Sequence, residues 1–175
     1  MDSLKTMQET ALDATKPGTV NPIEMLRLEA LTSFEKYTKL MFKCQYKRSF
    51  IVAEHHRKMF EVLQDVVDGK ITRLIINIAP RYGKTELVIK SFISWAFALN
   101  PRCRFLHLSY SDILVNDNSD TVRNIMSEEL YKTLFPNSAL ASEKGSAKRW
   151  KTKAGGELYA VSTQGQVTGF GAGAV

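Results

Sequence analysis

Long apolar runs are missing from this 175-residue chain. The longest, around Phe92 to Leu99, falls well short of the roughly 20 residues that a bilayer-spanning helix needs. The amino-terminal stretch MDSLKTMQETALDATKPG is polar and has no apolar centre, so it does not read as a secretory signal. Cysteine is scarce. Cys44 and Cys103 are the whole complement, and their spacing fits neither a metal site nor a redox motif. Free thiols in a reducing compartment are the expectation, and with no signal segment this points to a cytoplasmic protein with no membrane contact. No Ser/His/Asp set, paired-carboxylate site or zinc spacing stands out, and there is no internal repeat. His55 and His56 are adjacent, so they cannot share one helix face as a metal pair. His107 falls in an apolar run, where a packed or hydrogen-bonded role suits it better than ligation.

What is present is an ordinary globular composition, with 44% hydrophobic and 24% charged residues. The net charge of +6 fits contact with a polyanion without requiring it. Residues 1–21 read as a flexible arm. From Pro22, the recurrence of Leu26, Ala30, Phe34, Tyr37 and Met41 predicts a helical segment over 22–53. A second amphipathic helix is expected from about Glu54 to Asp68, with Gly69 as its stop. TRLIINIA then reads as a strand buried on both faces of a parallel sheet. The helix from Lys84 to about Leu99 is apolar almost all round and should be buried. CRFLHLSY, residues 103–110, is a second strand. Residues 71–110 therefore spell strand, loop, helix, strand, a crossover unit with its loop at the carboxyl end of the first strand. DILVNDNSDTVRNIM and EELYKTLF read as helices. Trp150–Lys153 and Glu157–Ser162 suggest a hairpin turning at Gly155-Gly156.

The loop between the first strand and its helix, APRYGKTE over Ala79 to Glu86, carries the chemistry. A phosphate cradle needs successive backbone N–H groups aimed at one anion, with a helix N-terminus behind them. Gly83 would allow close approach, Lys84 would neutralise phosphate, and Thr85 would ligate Mg²⁺. The first glycine of the GxxxxGK[ST] pattern falls on Ile78 and is missing. Gly-Lys-Ser/Thr alone arises by chance in about one chain in ten of this length. Its placement between an apolar run and an apolar helix is what raises it. The plain alternative is a strand-to-helix turn with a lysine in the first helical turn. Arg81 can reach a γ-phosphate with its planar fork, or it can be a surface arginine beside an acid.

Three blocks taken together, RLIINIAPRYGKTELV, NPRCRFLHLSYSDILVNDNSDTVRNIM and GGELYAVSTQGQVTGFGAG, resemble the large terminase subunits of tailed bacteriophages in order and spacing. That family drives DNA into capsids. The resemblance covers roughly Glu54 to Val175. It implies an α/β fold of the P-loop NTPase (ASCE) type, a parallel sheet flanked by helices and preceded by N-terminal helices. Residues 54–175 would be the N-terminal part of that ATPase domain. The family's deviant Walker A loop lacks the first glycine and keeps a basic residue before Gly-Lys-Ser/Thr, as here. Carried over, ATP and Mg²⁺ are the cofactors. Ala79, Pro80, Arg81, Tyr82, Gly83, Lys84, Thr85 and Glu86 would surround the nucleotide, Arg81 and Lys84 would act on its phosphates, and Thr85 would hold the metal. The helix near His56 to Lys58 lies where the family places adenine-side contacts. The implied partners are double-stranded DNA, the small terminase subunit and the portal protein, with a homo-oligomeric ring for the full-length protein in the host cytoplasm.

The family's Walker B strand, with its acids, and its nuclease domain would follow Val175, so the sheet is expected to be incomplete at the C-terminus. Residues 71–79 would then lack both flanking strands, and the chain should be marginally stable and inactive as an ATPase by itself. Two other readings stand beside this one. One is another P-loop DNA-dependent ATPase or helicase; the other is a non-catalytic terminase remnant kept as a binding module. For the latter, the basic region Lys144 to Lys153 with Trp150 could touch DNA phosphate and stack on bases, or serve only as a solvated connector.

Overall fold

A computed structural model describes residues 21–142, 146–165 and 170–173. The arm at residues 1–20, Lys144 of the basic region and residues 166–169 of the third block lie outside the described residues. The helical segment over 22–53 forms, but as two helices, α1 (Pro22–Thr32) and α2 (Phe34–Tyr46). Each start is locally coded. Asn21 accepts a hydrogen bond from the Ile23 N–H at 2.9 Å, with Pro22 at the first helical position. Ser33 is extended, and its Oγ accepts from the Lys36 N–H at 3.3 Å, so one residue ends α1 and caps α2. α3 (Glu54–Val67) follows, and Gly69 closes it in the left-handed region at φ 75°.

Helical turns resume at Lys84 and run through a wide π-type stretch, Glu86–Ser91, into α4 (Phe92–Leu99). β1 (Arg104–Ser109), α5 (Asp112–Ser127), α6 (Glu129–Leu134), β2 (Arg149–Lys151) and β3 (Glu157–Ser162) complete the described elements, with a short 3₁₀ turn at Pro136–Ser138. The sheet has three strands in the order β1-β3-β2. β1 and β3 run parallel from Arg104 opposite Glu157 to Ser109 opposite Ser162, whereas β2 is antiparallel to β3. The expected hairpin is therefore present. The parallel pair is joined through α5, which packs on both strands.

The fold is α/β, but the first expected strand does not join the sheet. Residues 73–79 belong to no strand, and Ile75 is 94% exposed. The expectation of a strand buried on both faces is thus corrected: among the described residues no strand pairs with this segment, and its other isoleucines, Ile76 and Ile78, are only half-buried against the core. The crossover over 71–110 likewise does not close within one sheet. On the edge of β1 facing away from β3, Arg104 exchanges two backbone hydrogen bonds with Gly173, at 2.8 and 2.9 Å.

The core lies among the helices and behind β3. Phe34, Tyr37, Trp95, Phe97, Tyr131 and Trp150 are all buried, and each polar tip has a partner. Trp95 donates to the Ala30 carbonyl at 2.8 Å, Tyr37 to Ser94 Oγ at 2.7 Å, and Tyr131 to the Ser94 carbonyl at 2.9 Å. Trp150 donates from Nε1 to Ser119 Oγ at 2.9 Å and packs on Phe97. Trp150 is therefore a core residue, which removes it as a base-stacking platform. Glu157, buried at the start of β3, is held by Arg104 at 3.2 Å and by Arg149. Among the described residues, no helix is long and apolar enough to cross a membrane.

Candidate functional site

The loop from Ala79 to Thr85 leaves the extended segment and enters the helix. Arg81 and Gly83 both occupy the left-handed region, at φ 68° and 77°, while Tyr82 between them does not. Alternating hand turns successive N–H groups toward one side, the arrangement that makes an anion-binding concavity. For Arg81 this conformation costs about 1–2 kcal/mol, a strain of the kind found at ligand clamps. The Gly83 carbonyl accepts from the Leu87 N–H at 2.9 Å, so the helix effectively starts here. The N–H groups of its first turn, from Lys84 onward, therefore have no intrahelical acceptor.

The side chains match that backbone. Arg81, Lys84 and Thr85 are exposed, and among the described residues none of the three has a side-chain hydrogen bond or ion pair. Glu86 differs: its carboxylate turns back onto Lys90 at 3.1 Å and the Tyr46 hydroxyl at 3.3 Å. Only its backbone can face a ligand. The burial of Lys90 disfavours its charge, but Glu86 and Tyr46 outweigh that and hold the ammonium above its usual range. The one acid in the loop region is thereby neutralised from within the helix, and the local excess of positive charge falls to Arg81 and Lys84. The wide helical turn starting at Glu86 is of a type frequent at functional sites.

Two residues outside the loop hold its shape, and both are the histidines that spacing alone set aside. A Cβ added at Gly83 would lie 2.8 Å from His56 Nε2, so the imidazole rests directly on the loop backbone. The other ring nitrogen, Nδ1, accepts from the Ala53 N–H at 3.0 Å and closes the start of α3. Burial first, and His55 second, keep His56 below the ordinary histidine range, against the pull of the Tyr82 and Ile51 carbonyls. His55 meets the Tyr82 ring at 5.3 Å. A sequence signal for His56 did exist: Ala53 has no capping side chain, and the third helical position, where Glu or Gln would reach back, holds His56.

Beside the loop, a cavity of about 460 Å³ separates the extended segment from β1, with Leu74, Ile76, Val88, Phe92 and Phe105 among its walls. Lys84, Thr85 and His107 border it. Its lining is mostly apolar, so it is a gap between the extended segment and β1 and not a phosphate pocket. His107 is buried, stands 3.4 Å from Asn118, and is pushed down by burial, in line with a packed role. Both cysteines are free thiols raised by burial, which leaves them poor nucleophiles. No cluster of three or more metal-ligating side chains occurs among the described residues. No family model, curated protein or solved structure matches the chain.

Proposed function

We propose that the chain is the ATP-binding portion of a DNA-packaging motor of the large terminase type. The observation that carries this reading is the loop: two left-handed residues, Arg81 and Gly83, lead into a helix whose first turn presents free N–H groups beside the unpaired Lys84 and Thr85. These residues fit a nucleotide triphosphate with Mg²⁺. Backbone N–H groups from Gly83 onward would hold phosphate oxygens, Lys84 would neutralise them, and the Thr85 hydroxyl would ligate the metal. Arg81, with no acid engaging it among the described residues, is available to the terminal phosphate. Bound Mg²⁺ would supply charge neutralisation across the phosphates. The order and spacing of the three sequence blocks support the terminase assignment over other P-loop ATPases, and DNA, the small subunit and the portal protein are the partners it brings. Trp150 in the core weakens the alternative of a small DNA-stacking module.

Among the described residues no strand ends in paired carboxylates, so this chain is expected to bind nucleotide without turning it over. The test is binding of a fluorescent ATP analogue with Mg²⁺, alongside phosphate release. Lys84→Ala should weaken binding about 10- to 100-fold, the scale of a charge-assisted hydrogen bond. Unchanged affinity in Lys84→Ala would remove the loop as the phosphate site. Steady phosphate release that Lys84→Ala abolishes would overturn the expectation of binding without turnover.

A further inference from the structure

The two nitrogens of His56 serve two different elements. Nδ1 accepts from Ala53 and closes the first turn of α3, while Nε2 lies against Gly83. Phe50 backs the ring edge-on at 5.1 Å, and Phe50 in turn packs on Phe42 of α2. The loop is therefore connected through one imidazole to the starting turn of α3 and the aromatic layer behind it. Because Nδ1 is used as an acceptor, the neutral ring must carry its proton on Nε2, facing the loop.

We propose that His56 is a positioning residue that holds the phosphate loop in its ligand-ready shape, so that the left-handed conformations of Arg81 and Gly83 persist before any ligand arrives. This rests on the reading of the loop as a phosphate site. A loop already ordered loses less freedom on binding, so the contact contributes to affinity without touching the ligand. No phosphate contact is assigned to His56. Its effect passes through the backbone of Gly83.

The test separates the two nitrogens. His56→Asn keeps an acceptor for the Ala53 N–H but removes the ring beneath Gly83. His56→Ala gives up both the ring beneath Gly83 and the acceptor for the Ala53 N–H. Arg81 and Lys84 are trypsin sites within the loop, and cleavage there tracks how often the loop opens. His56→Asn should raise cleavage after Arg81 about fivefold, with the thermal midpoint nearly unchanged. His56→Ala should raise cleavage to a similar extent and also lower the midpoint, because the Ala53 N–H then has no acceptor.

A second readout does not depend on proteolysis. In the wild-type protein the Gly83 and Lys84 amide resonances should titrate together with the His56 ring, and in His56→Asn that titration should vanish. The groups around the ring are His55 and the Glu54–Arg57 pair on its own helix, and Tyr82 between the flanking Arg81 and Lys84 in the loop. Residues 50–53 contribute no titratable side chain. Cleavage and amide shifts that ignore His56→Asn would overturn the proposal and leave His56 as a helix cap. If Lys84→Ala leaves nucleotide affinity intact while His56→Asn still loosens the loop, the phosphate reading fails and the positioning contact stands.

Discussion

The helical half of this molecule and the loop half are built by different means. Around Trp95 the indole and the two tyrosines are enclosed and their polar tips are answered, the indole on Ala30 and the tyrosines on Ser94. From Arg73 to Tyr82 the chain is equally apolar in composition but largely open, with Ile75 standing in solvent. The same kinds of residue give a core in one place and an exposed ribbon in the other. What differs is partners: a helix satisfies its own backbone and needs only one packed face, whereas an extended segment needs neighbours on both edges as well.

The largest effect should come from breaking the closed half. Trp95→Ala removes a fully buried indole and leaves the Ala30 carbonyl unpaired, for a loss of about 3–5 kcal/mol in urea unfolding. A loss below about 1 kcal/mol would mean that the helical layer is not the main source of stability.

A smaller contrast sharpens the boundary between the halves. Gly69 and Gly83 share nearly the same backbone, at φ 75° and 77°, but an added Cβ meets nothing at Gly69 and meets His56 at Gly83. Alanine at Gly69 should cost about 1–2 kcal/mol from conformation alone. Alanine at Gly83 should cost about 1 kcal/mol more, because the imidazole must move. Equal losses in paired thermal scans would show the loop to be loose against α3.

The smallest effect is expected where sequence pattern would forecast a large one. Ile75→Asp should change stability by no more than about 0.5 kcal/mol, since the side chain is already in water. A loss of several kcal/mol in the same unfolding assay would place Ile75 in a buried strand and contradict the open half altogether.

Much of the architecture was legible in residue order because it is locally coded. Gly69 ends α3, Asn100-Pro101 ends α4, and the turn at Gly155-Gly156 joins the hairpin. The split at Ser33 was hidden by apolar spacing that runs smoothly through it, although a serine before Phe34 is itself a capping signal. The burial of TRLIINIA was misread because an apolar run reports a preference for burial and cannot report whether partners are there. At the site, Gly83, Lys84 and Thr85 were legible as a motif. The support from His56 was not, because two adjacent histidines on one helix reach the loop in different ways, one through Tyr82 and the other through Gly83.

The enclosure of both tryptophans has an optical consequence. Trp95 and Trp150 are the only indoles in the chain, and both sit in apolar surroundings away from the loop. Intrinsic emission should therefore be blue-shifted, resistant to iodide, and blind to events at Lys84. Tyr82, half-exposed at the loop's crest, is the natural place to install a reporter: a Tyr82→Trp protein would carry a quenchable, red-shifted signal that belongs to the loop alone.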